Sequence, residues 1–409
     1  MARILFAFLG AAQYQPAHYS FGGDARARHR TRFLPQALVA ELARSDPRKK
    51  LDRVVLCGTA TSGWQALAEA LANPTAQPER GPELPTLGDA EIAAFAEPYS
   101  RALGLPVLPQ RIDFGRTPEE QQRFVEMVAA HVQDGDVVHF DFTHGLRHLP
   151  LLALIAALAV RTLKHASVEA IWYGPYDLRD RITGITEVIR LEGLLTMMDW
   201  LTALSVFDAT GDMARFGPLM AAETGIDSAM LAEASFRERV MHPGAIRRNA
   251  AAVLDALQSA DGGISALVRP ELEKRLNWTR SPERVEEGLD LALQLAGKGG
   301  ELRALTLAKE TAVDRIANAA GISGRDASER VLDAAISVKQ GPAFAFAKAF
   351  LDLGRARNDF VHVEDRSARR NPVYRSSAAF RQTLQEWVRQ LRLPVPQALI
   401  NAVRAGKPR

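Results

Sequence analysis

The chain has one cysteine, Cys57, in 409 residues. A single thiol makes neither an intrachain disulfide nor a cysteine-based zinc site, which excludes disulfide-stapled secreted scaffolds and zinc fingers. The length is ample for two or three domains with their own cores, so no such staple is needed. Long apolar runs are missing too. The longest, Leu149–Val160, has 12 residues and ends at Arg161. That is too short to span a bilayer and reads as a buried helix. The opening MARILFAFLG is apolar, but no small-residue cleavage site closes it before Gln13-Tyr14-Gln15. It reads as a first β-strand rather than a signal peptide, and a cytoplasmic location is expected. No G-x-G-x-x-G follows that strand, and G-x-x-x-x-G-K-[ST] occurs nowhere. This argues against a dinucleotide cofactor and against a P-loop.

Lysine is scarce: nine, against 42 arginines. Arginine offers a planar, permanently charged fork suited to phosphate. The net charge of +3 conceals an uneven distribution. Residues 1–190 carry 21 basic and 21 acidic side chains, residues 191–353 carry 18 and 23, and residues 354–409 carry 12 and 4. The basic excess therefore sits at the C-terminal end, where a polyanionic partner is expected.

Within residues 1–190, β-rich runs alternate with helical stretches. Strands are expected at Arg3–Leu9, Val54–Cys57, Pro106–Phe114, Val137–Phe142, Val168–Tyr173 and Ile182–Arg190. The last two flank a turn at Pro175–Asp180 and suggest a hairpin. Thr117-Pro118-Glu119-Glu120 marks a helix start, with a capping Thr and Pro at the first helical position. Strands separated by helices imply a doubly wound, Rossmann-like α/β domain. From Leu191 on, Ala and Leu recur at helical spacing, so residues 191–409 read as all-α, with helices at 191–206, 250–257, 285–295, 343–360 and 377–391.

In open α/β sheets, ligands lie beyond the carboxyl ends of the strands. The segments there are rich in glycine and hydroxyls: Gly10 to Tyr14, Gly58-Thr59-Ala60-Thr61-Ser62-Gly63-Trp64, Asp141-Phe142-Thr143-His144-Gly145-Leu146-Arg147, and Tyr173-Gly174-Pro175-Tyr176. Helix N-termini and hydroxyl donors suit a phosphate, Arg147 adds a fork, and tyrosine rings suit bases. His144 has no partner at metal spacing except Asp141, and a ligand-contacting or loop-organising role is expected for it rather than catalysis.

A second constellation is Arg357-Asn358-Asp359-Phe360-Val361-His362, of form R-x4-H. Imidazole can take the proton of a ribose 2′-OH, and guanidinium can stabilise charge on pentacoordinate phosphorus. On one helix the two side chains lie about 140° apart, which favours a composite site between two copies. The spacing also occurs at Arg237–His242. The Asn after Arg357, the long apolar helix before it and the basic segment beyond it favour the later copy. A binding module with an inactive helical half is the competing reading.

The glycine turn after the first strand with Tyr14 and Tyr19 beyond it, GTATSGW at 58–64, DFTHGLRHLP at 141–150 and WYGPYD at 172–177 resemble CRISPR-associated CARF domains carrying D-x-T-H-G-[FL]-R. RNDFVH at 357–362 resembles the R-x4-6-H motif of HEPN ribonucleases. CARF followed by HEPN is the architecture of accessory ribonucleases of type III systems. The resemblance implies an N-terminal Rossmann-like CARF domain (1–190) and a helical region including HEPN (191–409). It implies a homodimer activated allosterically by cyclic oligoadenylate, cyclic tetra-adenylate being the commoner activator. It implies metal-independent cutting of single-stranded RNA to a 2′,3′-cyclic phosphate, with no cofactor. Arg357, His362 and Asn358 then match the catalytic group. Gly10, Tyr14, Gly58, Thr59, Thr61, Ser62, Thr143, His144, Gly145 and Arg147 fall in or beside the ligand loops.

Overall fold

A computed structural model describes residues 1–10, 14–22, 29–75, 84–146, 148–210, 212–225, 227–239, 251, 253–255, 258, 263–276, 284–323, 326–362 and 376–406. The chain divides into two compact units, Met1–Leu195 and Thr196–Arg409.

Strand β1 (Arg3–Phe8) organises the first unit. Its alternating side chains are apolar on both sides, and Ile4 to Phe8 are all fully buried, as a strand covered on both faces must be. Around it lie β2 (Ala17–Phe21), β3 (His29–Thr31), β4 (Arg53–Gly58), β5 (Val107–Arg111), β6 (Val137–Asp141), β7 (Ser167–Tyr173) and β8 (Ile185–Arg190). They form one sheet in the order β3-β2-β8-β7-β6-β1-β4-β5. Strands β5, β4, β1, β6 and β7 run parallel. Strand β8 turns back antiparallel to β7, the hairpin that the Pro175–Asp180 turn suggests. Pro109 sits in β5, an edge strand where a missing N–H is tolerated. Strands β2 and β3 were not expected. They are short: β2 pairs parallel with β8 and antiparallel with β3, and with the antiparallel β7–β8 pair the sheet is mixed rather than purely parallel.

Helices α1 (Leu34–Ser45), α2 (Trp64–Ala72), α3 (Asp89–Ala93) and α4 (Ala96–Leu103) supply one face. Leu5, Ala7 and Leu9 meet Leu38, Trp64, Leu67 and Tyr99 there. Helices α5 (Pro118–Ala130) and α6 (Leu149–Leu163) pack together on the other face, where Phe8 lies against Phe124 and Phe6 stacks on Phe140. Thr117 caps α5 by accepting a hydrogen bond from the Glu120 N–H. Helices on both faces make this a doubly wound arrangement.

The apolar run 149–160 does not form a fully buried helix. Ala153, Ala156, Ala157 and Val160 are buried, whereas Leu151 is 69% and Ile155 55% exposed, with Leu163 also exposed. A helix lying on a sheet covers only one of its own faces. Apolarity all round therefore leaves a bare stripe.

In the second unit the described residues are helical and contain no strand. Helix α7 (Glu192–Thr210) leads into it. There follow α8 (Phe216–Thr224), α9 (Ser228–Arg239), α10 (Gly263–Leu276), α11 (Arg284–Gly297), α12 (Glu301–Ala320), α13 (Ala327–Ser337), α14 (Phe344–His362), α15 (Ser377–Arg392) and α16 (Gln397–Ala405). Helix α12 is central and packs on α11, α13, α14, α15 and α16. Its buried face is largely alanine (Ala304, Ala308, Ala312, Ala317) with Leu305 and Ile316, small residues that let neighbouring helices approach closely. Of the expected helix at 250–257, residues 251 and 253–255 are described, and they are helical.

Candidate functional site

Strand order places a switch point between β1 and β6. After β1 the chain passes through the edge strands β2 and β3 and helix α1 to reach β4 and β5 on one side of β1, then crosses to β6 and β7 on the other. The loops after β1, β4, β6 and β7 therefore meet at one end of the sheet, where ligands of such sheets bind. Hydrogen bonds tie them together. Ser62 Oγ donates to the Leu9 carbonyl at 3.1 Å and accepts the Thr59 N–H at 2.9 Å. The Gly63 N–H donates to the Gly10 carbonyl at 2.9 Å. Thr143 Oγ1 donates to Asp141 Oδ1 at 2.6 Å and accepts the Gly174 N–H at 2.8 Å.

These bonds give the sequence-marked residues definite positions. Gly10, Thr59 and Ser62 are buried, with Thr59 and Ser62 at 3% exposed. Thr61 and Thr143 stay partly accessible. Gly58 and Gly145 are required by packing: a Cβ would stand 2.7 Å from the Trp64 ring at Gly58 and 2.9 Å from Phe8 Cβ at Gly145. Tyr14 is buried, its ring edge-on to His144 and to Phe33. Its hydroxyl finds no hydrogen-bond partner among the described residues, and burial pushes its pKa above the ordinary phenol range. Arg147 lies outside the described residues.

His144 stacks on Phe33 and accepts the Leu34 N–H at Nε2, 3.3 Å away. Leu34 opens α1, so the imidazole satisfies one of that helix's free amides. Enclosure by Phe33 and Tyr14 pushes its pKa down to about 3. A neutral ring accepting at Nε2 organises the loop around α1. Asp141 is fully buried, with Oδ2 unpartnered among the described residues. Burial raises its pKa to about 7 against the opposing hydrogen bonds from Thr143.

Arg32 carries no motif in the sequence, yet it is 4% exposed and gives its Nε–H to the Tyr14 carbonyl at 2.8 Å. It brings a cation to this loop cluster, and only its proximity in the fold could have found it. A cavity of about 630 Å³ opens against β7 and β8, lined by Phe21, Glu41, Lys49, Trp172 and Arg190 among others. None of the residues expected to contact ligand lines it.

In the helical unit, α14 runs unbroken through His362. The backbone therefore keeps positions 357 and 362 about 140° apart around one axis. Arg357 is half-buried and donates from Nη1 to Asn358 Oδ1 at 3.1 Å, while its buried Nε has no partner among the described residues. A buried guanidinium N–H left open is costly and is relieved by an anion. The His362 side chain lies outside the description, and the other R-x4-H copy, Arg237–His242, ends outside the described residues.

No protein-family model matches the chain. It is similar to CRISPR-associated protein MJ1674 of Methanocaldococcus jannaschii, 23% identical over 240 residues, which cover 49% of this chain and 34% of that relative. The chain thus matches about a third of that relative's length, and it is a distant relative of a CRISPR-associated protein.

Proposed function

We propose that this protein is a cyclic oligoadenylate-activated, metal-independent endoribonuclease that cuts single-stranded RNA in type III CRISPR defence. The observation that carries the nuclease half is Arg357, whose buried Nε has no partner among the described residues and whose Nη1 donates to Asn358, at the head of the basic C-terminal segment. The name of the distant relative supports a CRISPR role. The loops at the β1–β6 switch point, with Arg32 beside them, suit a small anionic ligand.

In this reading His362 takes the 2′-OH proton of the RNA, and the 2′-oxygen attacks the adjacent phosphorus. The P–O5′ bond breaks and the departing 5′-oxygen takes a proton from the imidazolium, leaving a 2′,3′-cyclic phosphate and a 5′-hydroxyl end. Arg357 stabilises the charge that builds on the phosphoryl oxygens. The separation of the two positions on α14 calls for a second copy of the chain to complete the site. The bare apolar stripe of Leu151 and Ile155 on α6 supports a homodimer.

The same separation also favours one alternative, a ligand sensor whose helical unit binds nucleic acid or a partner without cutting. Cleavage of single-stranded RNA in EDTA, with and without cyclic tetra-adenylate, separates the two. The nuclease reading expects activator-dependent cutting that His362→Ala abolishes while activator binding persists. RNA binding without turnover would favour the alternative, and normal cutting by His362→Ala would refute the site.

A further inference from the structure

A cavity of about 200 Å³ opens in the helical unit, lined by Lys309 of α12, by Ser328, Leu332 and Ile336 of α13, and by Phe350, Gly354, Arg355 and Asn358 of α14, among others. Its floor is the buried Phe350, and its walls are the exposed pair Leu332 (42%) and Ile336 (52%). At Gly354 no side chain fills the space: a Cβ there would first meet Lys309 Cε, 4.0 Å away. The rim is polar. Arg355 is held by Asp352 at 3.0 Å. The Lys309 ammonium and the Ser328 hydroxyl make no hydrogen bond among the described residues. The lining carries two cations and no carboxylate.

Helical register connects this cavity to the R-x4-H motif. Each four-residue step turns about 40° around α14, so position 358 lies next to 354 on one side and to 362 on the other. Asn358 thus lines the cavity and also accepts the Arg357 hydrogen bond.

We infer that the cavity receives one unstacked base of single-stranded RNA next to the bond that is cut, and so sets base preference. This rests on the nuclease reading for its place beside the cut. The cavity is smaller than the roughly 300–1,000 Å³ of drug-sized sites, which matches a lone base rather than a nucleotide chain. Apolar walls take the base faces, as pockets that receive a flipped-out base do. The Asn358 amide and the Lys309 and Ser328 donors face its polar edge. Lys309, the rim cation without a carboxylate partner among the described residues, complements a flanking phosphate.

The test is binding of fluorescent oligo(A), oligo(U) and oligo(C) of equal length to the full-length protein with activator present. The His362→Ala background prevents turnover. The inference expects about tenfold between the best and worst base, as one hydrogen bond from the Asn358 amide to a matching base edge supplies. Ile336→Trp, which fills the cavity from an exposed position, should bring the three within about twofold of each other. Lys309→Ala should weaken all three and narrow the spread. Equal affinities in the parent, an unchanged ranking in Ile336→Trp, or a change in oligomeric state with Ile336→Trp (marking an interface between copies) would each overturn it. Base-dependent binding by a protein that never cuts RNA with His362 intact would instead sink the nuclease reading and leave the base site standing.

Discussion

The two units use their polar side chains in opposite ways. In the α/β unit, the residues that look most like ligand contacts are consumed by the fold. Ser62 joins the β4 loop to β1, Thr143 joins β6 to β7, and His144 serves an amide of α1. In the helical unit, Arg357 Nε has no partner among the described residues and Lys309 lines an unfilled cavity. The contrast is that of a rigid cradle, whose loops are held in place by internal bonds, and an open surface with donors to spare. A cradle suits a small ligand that must be recognised, and an open surface suits a long polyanion that must be gripped and released.

The largest expected effect that would break this comparison lies in the open half. Arg357→Ala should lower RNA cleavage by about 10²–10³-fold, the usual range for losing a charge-stabilising donor. Thermal stability and activator binding should hardly change. A comparable loss of activator binding, measured by titration calorimetry, would show that Arg357 serves the fold after all.

In the cradle, the losses should appear in stability. Gly145→Val puts carbon 2.9 Å from Phe8 Cβ and should cost about 1–3 kcal/mol by overpacking, read from denaturant unfolding. Ser62→Ala leaves the buried Thr59 N–H without its acceptor. It should cost about 1–2 kcal/mol, toward the lower end of that class. If either variant proved as stable as the parent while losing only ligand affinity, the loops would be ligand contacts first and scaffold second.

The smallest effect sharpens the comparison through pH. Asp141 has its pKa raised by burial from 3.8 to about 7, so the folded state holds extra protons between those values and stability falls as pH rises through them. His144 has its pKa lowered by burial from 6.5 to about 3, so its contribution is full above 6.5 and fades as pH falls toward 3. The two slopes oppose each other in the parent. Relative to it, Asp141→Asn should gain stability as pH rises from 4 to 7. His144→Gln should lose relative stability over the same interval. Parallel melting curves across that range for either variant would show that burial does not set these groups' charge.

Much of the sheet was legible because its central strands are apolar runs bounded by turn residues, as β1 and β6 illustrate. Strands β2 and β3 were not. They have five and three residues; β2 pairs with β8, whose residues lie some 165 positions away, and β3 pairs only with β2. The run 149–160 announced a helix but not its bare stripe, because exposure depends on what packs against it. The loops at the strand ends were also legible as places, through glycines and hydroxyls. Their internal use was not, because the partners are remote: Leu9 for Ser62, Gly174 for Thr143, Leu34 for His144. Arg32 was missed for the same reason. In the helical unit the angular separation of positions 357 and 362 followed from spacing alone, and an unbroken α14 preserves it. The cavity beside Asn358 needed three helices brought together, which no local pattern encodes.

The most direct test of the division of labour is cleavage of a fluorescent single-stranded RNA in EDTA across a panel of linear and cyclic oligoadenylates. Negligible cutting alone and strong cutting with a cyclic member is the expected result. Cutting that ignores every oligoadenylate, or none with any of them, would contradict it.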